Sequence, residues 1–340
     1  MQEKLHELVD ISLNIGASAA MVQGGGGNTS VKLDNELMAI KASGFELREL
    51  TSNTGFSIVN YKNIRSFFSL SNPNKNVKYN DFIQEQKIKT VDNLNLRPSM
   101  ETGFHALLST YVIHSHSVFS NLINCCKEGK ELITKIFSDF QDCNFIWIPY
   151  SDPGYPVSEI IFDKSKNLNV ETEDLVLFLQ NHGLIISSSK LTKVIQLHES
   201  VNKKIKQALN ISDTYPQIIL APIEEGHIYK SASPYIQEIG MNYCNELMQK
   251  VLFPDQVVYF SNKIGFDPSS KIFIDFENCE IVYKANLKEA RTYEETLVAY
   301  VYIFESLKKN NLTPNFINFE NVENINNMES EKYRKEVMES

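Results

Sequence analysis

The run Tyr111-Val112-Ile113-His114-Ser115-His116 constrains this chain more than any other stretch, because an apolar strand there ends in two histidines one residue apart. Side chains at i and i+2 of a strand share a face, about 6 to 7 Å apart. Both imidazoles can therefore reach one ion and need a third ligand from elsewhere. His182 is the best candidate, since Gln180-Asn181-His182-Gly183 follows a second apolar run, Leu175-Val176-Leu177-Phe178-Leu179. Three histidines with one open position hold a catalytic zinc, whereas structural zinc sites are closed by four ligands and rich in cysteine. Glu101, a short helix upstream of the pair, offers a carboxylate for proton transfer beside such an ion. Zinc can hold the two oxygens of an enediolate, the carbanion-like species formed when a carbon–carbon bond beside a carbonyl breaks.

At 340 residues the chain exceeds the usual single core. Breaks at Ser212-Asp213-Thr214-Tyr215-Pro216 and Ala221-Pro222 divide it into an expected metal-binding domain, 1–213, and an extension of unassigned role, 214–340, whose residues 318–340 are expected to fray. A net charge of -9 argues against nucleic acid or an anionic membrane as partner. No apolar run approaches the roughly 18 to 20 residues of a membrane span, and Met1 to Asp10 is not signal-like, so a cytoplasmic protein is expected. The five cysteines are odd in number and lack Cys-x-x-Cys spacing, which points to buried thiols. No Gly-x-Gly-x-x-Gly follows a strand, so NAD is not expected.

The spacing of apolar residues predicts a helix within 3–20 with Gly16 as its cap, strands at Val31 to Leu33 and Leu37 to Lys41 around Asp34-Asn35, and a helix from Ser99. Residues 61 to 97 read as edge strands and loop, with one strand at Val77 to Tyr79. After the Tyr111–His116 strand come a helix over Ser117 to Cys125, a strand at Phe145 to Pro149, a helix from Ser158, strands flanking His182, and a helix over 191–209. The extension reads as a helix near 234–250, strands near 256–260, 271–275 and 281–284, and a helix from about 287 to 308. Strands and helices without strict βαβ alternation predict an α+β fold, layered α/β/α around a mostly antiparallel central sheet, with a smaller C-terminal α/β domain.

Six blocks, in order, resemble the class II aldolase/adducin family. Gly27-Asn28-Thr29-Ser30-Val31-Lys32 is similar to its Gly-Asn-x-Ser-x-basic segment, and Lys41-Ala42-Ser43-Gly44 to its Ser-Gly turn. Arg97-Pro98-Ser99-Met100-Glu101-Thr102 with His105 resembles its Pro-Ser-Ser-Glu-x-x-x-His block, and Val112 to Ser117 its apolar-His-x-His-Ser strand. Pro149-Tyr150 with Pro153-Gly154 is similar to the connecting turn, and Asn181-His182-Gly183-Leu184 to the last ligand motif. The glycine run Gly24–Gly27, and more weakly Phe253 to Tyr259, resemble the long-chain branch, the aldolase half of rhamnulose phosphate aldolase/dehydrogenase-like proteins.

The resemblance implies a class II aldolase-like fold in which His114, His116 and His182 bind Zn2+ or another divalent metal and Glu101 is the acid/base residue. It implies a pocket for substrate phosphate at Gly27, Asn28, Ser43, Gly44 and Ser99, where glycine amides and small hydroxyls cradle an anion. His105, one helical turn after Glu101, either orients a ligand or packs. The implied reaction is aldol cleavage or formation in a small sugar, a ketose phosphate in the first instance. Epimerases and dehydratases of the family use near-identical ligands, and its cytoskeletal members are non-catalytic interaction modules. A homo-oligomer, the family's C4 tetramer, is implied as well. Two positions depart from the pattern: Met100 stands in place of the second serine, and Tyr155 follows Pro153-Gly154 where serine is common.

Overall fold

A computed structural model describes residues 1–70, 75–88, 96–140, 143–212, 214–224, 226–329 and 331–333. In chain order the first part runs α1 (Gln2–Gly16), β1 (Asn28–Lys32), β2 (Leu37–Lys41), β3 (Phe56–Asn60), α2 (Tyr61–Ser69), α3 (Lys75–Glu85), α4 (Thr102–Leu107), β4 (Tyr111–Ser115), α5 (Val118–Asn124), α6 (Gly129–Ile136), β5 (Asn144–Ile148), α7 (Tyr155–Ser165), β6 (Leu175–Leu179), β7 (Gly183–Ser188) and α8 (Leu191–Ala208). Its strands form one seven-stranded sheet in the order β3-β2-β1-β4-β7-β6-β5, antiparallel except for the edge pair β5–β6.

Alternation along β4 sorts the two layers of helices. Tyr111 and Ile113 join the core packed under α1, α5 and α8, while Val112 joins Phe104 of α4 and Val157 and Ile161 of α7 on the opposite face. His114 shares parity with Val112 and so faces α4, the helix that Glu101 precedes. Both faces are covered, so the strands read as continuous apolar runs. Each fully buried aliphatic side chain contributes about 1.5 to 3 kcal/mol relative to exposure, and the layering follows from burying them on both sides.

The remainder runs β8 (Leu220–Glu224), β9 (Ile228–Ser231), α9 (Pro234–Glu238), α10 (Cys244–Gln249), α11 (Pro254–Phe260), β10 (Ile264–Gly265), β11 (Ile272–Asp275), β12 (Glu280–Lys284), α12 (Leu287–Lys309) and α13 (Phe319–Asn327). A second, five-stranded sheet has the order β10-β11-β12-β9-β8. Residues of α11 and α12 share one apolar cluster with α1, α5 and α8, so buried contact continues across the boundary near 213. Among the described residues no helix is long and apolar enough to cross a membrane.

The structure differs from several local expectations. Residues 61–69 and 75–85 are helical rather than edge strands: Tyr61, Ile64, Phe67 and Phe68 fall on one buried helical face, and the Asn60 side chain caps α2 by accepting from the Asn63 amide. Residues 89–95 lie outside the described residues. The apolar run near 256–260 is the helix α11, opened by Pro254 and buried at every position. A short run buried all round carries no periodicity to separate helix from strand. The expected helix near 234–250 is broken into α9, a turn of 3-10 helix (Gly240–Tyr243) and α10. Residues 319–327, expected to fray with 318–340, form α13 with Ile325 fully buried. Of the cysteines, Cys125 and Cys126 are buried, but Cys279 is exposed in the β11–β12 turn with φ 54°.

Candidate metal centre and substrate cleft

His114 lies one residue before the end of β4 and His116 just beyond it, and both carry their Nε2 atoms to the same point, 3.1 Å apart. His182 arrives from the loop joining β6 to β7. Register pairs Leu179 with Gly183, leaving Gln180, Asn181 and His182 as the loop, with Asn181 at φ 53°. Asparagine is among the few residues that tolerate this left-handed conformation. The Asn181 amide donates to the carbonyls of Leu252 at 2.9 Å and Asn315 at 2.7 Å, and accepts from the Asn315 amide at 2.7 Å. Gly183 has no room for a side chain, since a Cβ there would sit 2.4 Å from the Ser115 carbonyl and 3.1 Å from the His114 ring.

The three imidazoles are buried and each offers a nitrogen within 4.8 Å of the others. Their environment fits a cation. His114 Nδ1 donates to the Leu184 carbonyl at 3.2 Å, and His116 Nδ1 donates to the Asp255 carboxylate, so the Nε2 lone pairs of both rings converge. The 3.1 Å separation is near the roughly 3.3 Å edge of a tetrahedron with zinc–nitrogen bonds of 2.0 to 2.1 Å. Burial pushes His114 down to about 4 and His182 to about 3, which keeps both neutral at pH 7 and ready to ligate.

Glu101 sits at the N-cap of α4, yet its carboxylate makes no bond to that helix. Instead Oε1 lies 3.3 Å from His182 Nε2 and 3.6 Å from His114 Nε2, and Oε2 accepts from the Asn28 amide at 2.6 Å. Burial by itself would raise this carboxyl, but its attraction to the imidazoles as they take up protons in acid, together with the Asn28 amide, outweighs burial and pushes Glu101 down to about 2. His105 touches Asn28 and Ser30 rather than any of the three clustered histidines. Its Nε2 donates to Asn28 Oδ1, which orients the amide NH2 at Glu101, and Nδ1 accepts from the Ser30 hydroxyl at 2.7 Å.

A cleft opens above this cluster. Gly27, Asn28, Ser43, Gly44 and Ser99 all line it, with Met100, Glu101, His116 and His182. The three glycines ahead of Gly27 have their amides turned to the protein itself. The amides of Gly24, Gly25 and Gly26 donate to Glu295, to the Tyr259 hydroxyl and to the Gln23 carbonyl, so they are already committed. The run is glycine because the backbone passes too close to its neighbours: a Cβ on Gly24 would meet Thr292 at 2.5 Å, and one on Gly27 would meet the His114 carbonyl at 2.7 Å.

Sequence reasoning gave no site role to Lys41, Pro254, Asp255 or Glu331, which also line the cleft. Lys41, buried at the end of β2, places its ammonium in the cleft wall, donating to the carbonyls of Gly25 at 3.1 Å and Phe45 at 2.7 Å. A lysine closing an apolar strand just before Ser43-Gly44 was the available signal. Pro254, Asp255 and Glu331 come from the C-terminal part; the first two lie in the Phe253–Tyr259 segment already noted for its resemblance, but nothing local ties that segment, or Glu331, to a cleft. Tyr155 points away from the chemistry, into an aromatic group where it stacks on Phe68 at 5.8 Å and meets Tyr79 at 5.4 Å. His198 is structural: buried on α8, it bonds the Ser115 hydroxyl at 2.8 Å.

Residues 6–209 match the family model described as Class II Aldolase and Adducin N-terminal domain. The chain belongs to that family. Class II aldolase-family features thus cover the seven-stranded sheet and its strand-end site. A protein of Bacillus subtilis (strain 168) named uncharacterized oxidoreductase YuxG is 27% identical over 239 residues, covering 65% of this chain and 32% of that protein. This chain thus spans about a third of the length of that curated relative. The N-terminal class II aldolase domain of a conserved Thermoplasma acidophilum protein superposes with TM-score 0.50 at 23% identity, covering 60% of this chain and 92% of that one. L-fuculose-1-phosphate aldolase from Thermus thermophilus superposes with TM-score 0.39 at 13% identity, covering 62% and 95%. The segments carrying Asp255 and Glu331 lie outside the family match.

Proposed function

We propose that this class II aldolase-family chain is a divalent-metal-dependent lyase that breaks or forms a carbon–carbon bond beside the carbonyl of a small sugar. The observation that carries the reading is the convergence of three imidazole nitrogens with the Glu101 carboxylate, 3.3 and 3.6 Å from two of them, on the floor of a cleft. His114, His116 and His182 would hold the ion. When bound, a Zn2+ or similar ion supplies Lewis-acid stabilisation of the charge that develops on substrate oxygen.

The rest of the chemistry falls to side chains. Glu101, ionised at neutral pH, takes up the proton that the substrate loses at Oε1 and returns it to the carbon left electron-rich by bond cleavage. Asn28, held by His105, keeps Oε2 fixed and leaves Oε1 toward the histidines. Lys41, Ser43 and Ser99 form the end of the cleft suited to an anionic or hydroxylated substrate terminus. Met100 removes one hydroxyl from that end, and the Glu331 carboxylate lines the same cleft. Both features favour a less charged terminus than phosphate, so the unphosphorylated ketose is the second reading.

The test is a panel of ketose phosphates and free ketoses incubated with metal-loaded protein. Release of a triose or triose phosphate supports the lyase. Epimer or dehydration products without carbon–carbon cleavage would replace it with another activity of the same family. Protein purified without chelator should carry close to one divalent ion per chain, and a chain with none would sink every metal-dependent version, leaving a non-catalytic module.

A further inference from the structure

The C-terminal part does more than pack beside the family domain. Asp255, fully buried at the second position of α11, accepts through Oδ2 from Nδ1 of His116, a residue 139 positions earlier. Three residues before it, the Leu252 carbonyl accepts at 2.9 Å from Asn181, the residue that shapes the loop presenting His182. One four-residue segment thus touches both strand-end elements that bring histidines to the cluster. Gly26 fits the same arrangement. A Cβ at that position would lie 2.6 Å from Asp255 Oδ2 and 2.8 Å from His116 Nδ1, so the glycine loop closes over this pair only without a side chain.

Resting on the metal-dependent reading above, we propose that Leu252–Asp255 is an outer wall of the metal centre and that Asp255 is a positioning residue for His116. A carboxylate on Nδ1 fixes the proton there, leaves the Nε2 lone pair for the ion, and locks the ring's tilt. Packing alone gives no reason for the residue type. A buried carboxylate is costly unless paired, and an apolar side chain would fill the same space without that cost. The role lies in residues that the family match, which ends at 209, does not contain.

The experiment titrates full-length, metal-stripped protein with Zn2+ against a chromogenic chelator, and with Co2+ followed by its visible absorption, in wild type, Asp255→Asn, Asp255→Ala and Gly26→Ala. Partners of metal-bound histidines change affinity by about 10- to 100-fold when removed. Asp255→Ala and Gly26→Ala should weaken Zn2+ binding within that range and alter the Co2+ spectrum. Asp255→Asn keeps the shape and an acceptor oxygen, so it should retain part of the affinity and covers the case in which the alanine variant fails to fold. Melting of the metal-free proteins separates loss of stability from loss of affinity. Folded Asp255→Asn and Asp255→Ala with wild-type affinity and an unchanged Co2+ spectrum would overturn the inference while leaving the lyase reading intact. A wild type that binds neither ion overturns both.

Discussion

Every residue of β4, β6 and β7 is buried, whereas β9, β11 and β12 alternate buried with half-exposed positions. The first sheet is covered on both faces and the second on one. Two-sided cover lets polar groups gather at the strand ends out of contact with water, where electrostatic interactions strengthen. Each part also buries a glutamate, and the partners decide its state. Glu101 faces imidazoles and an amide N–H and is held at about 2. Glu294 on α12 receives only hydroxyls, from Ser231, Ser233 and Tyr283, and burial raises its carboxyl above the usual range. On the proposed reading the first transfers a proton, and the second braces a helix against a sheet.

The strongest way to break this contrast is to remove a ligand. His114→Ala should abolish both bound metal and turnover, while His227→Ala, exposed near the second sheet, should change neither; elemental analysis and the sugar panel read both. Glu101→Gln should keep its metal and lose about 10²- to 10⁴-fold in kcat, whereas Glu294→Gln should stay within about twofold of wild-type activity. If Glu294→Gln were the more damaged enzyme, the division of labour between the two carboxylates would be wrong.

Stability sharpens the comparison. Glu294→Ala removes the acceptor that Ser231, Ser233 and Tyr283 share and should cost about 3 kcal/mol in denaturant unfolding, with Zn2+ affinity unchanged. The pH dependences should have opposite signs. Burial lowers His198 from 6.5 to about 4, so the neutral form is favoured in the folded state. Its contribution is complete above about pH 6.5 and declines as pH falls toward 4, by roughly 3 kcal/mol. His198→Gln should flatten that acid limb in metal-free protein. The Glu294 carboxyl is raised, so its contribution is complete below about 4.5 and declines as pH rises through the folded value. Glu294→Gln should therefore gain on wild type as pH increases.

The smallest effect concerns the cleft. Met100→Ser restores a hydroxyl beside Ser99 and should tighten binding of a phosphorylated ketose over its free counterpart by up to about tenfold, the worth of one hydrogen bond. An equal effect on both sugars would remove the phosphate argument at this position.

Much of the site was legible because its signals are short-range. The i, i+2 spacing of His114 and His116 follows from strand geometry, and the apolar runs around His182 announce strands whichever sheet they join. Glu101 stood out by its order in the chain, but its position against two of the rings depends on α4 packing on the face of β4 that carries His114. The helices α2, α3 and α11 were misread where composition outweighed spacing or where burial on all sides erased it. The steric need for glycine at 24, 26 and 27 was not legible, since it comes from the backbone's neighbours, Thr292, Asp255 and His114, two of them more than 200 residues away.

Sequence by itself determined which residues are able to ligate and transfer protons, because side-chain chemistry and strand alternation are local properties. Only the tertiary structure decided that Asp255 would meet His116, that Glu295 and Tyr259 would hold the amides of Gly24 and Gly25, and that Lys41 and Glu331 would share one cleft. Those pairings join segments far apart in the chain. They exist only once the apolar faces of α11 and α12 have found the same core as the seven-stranded sheet.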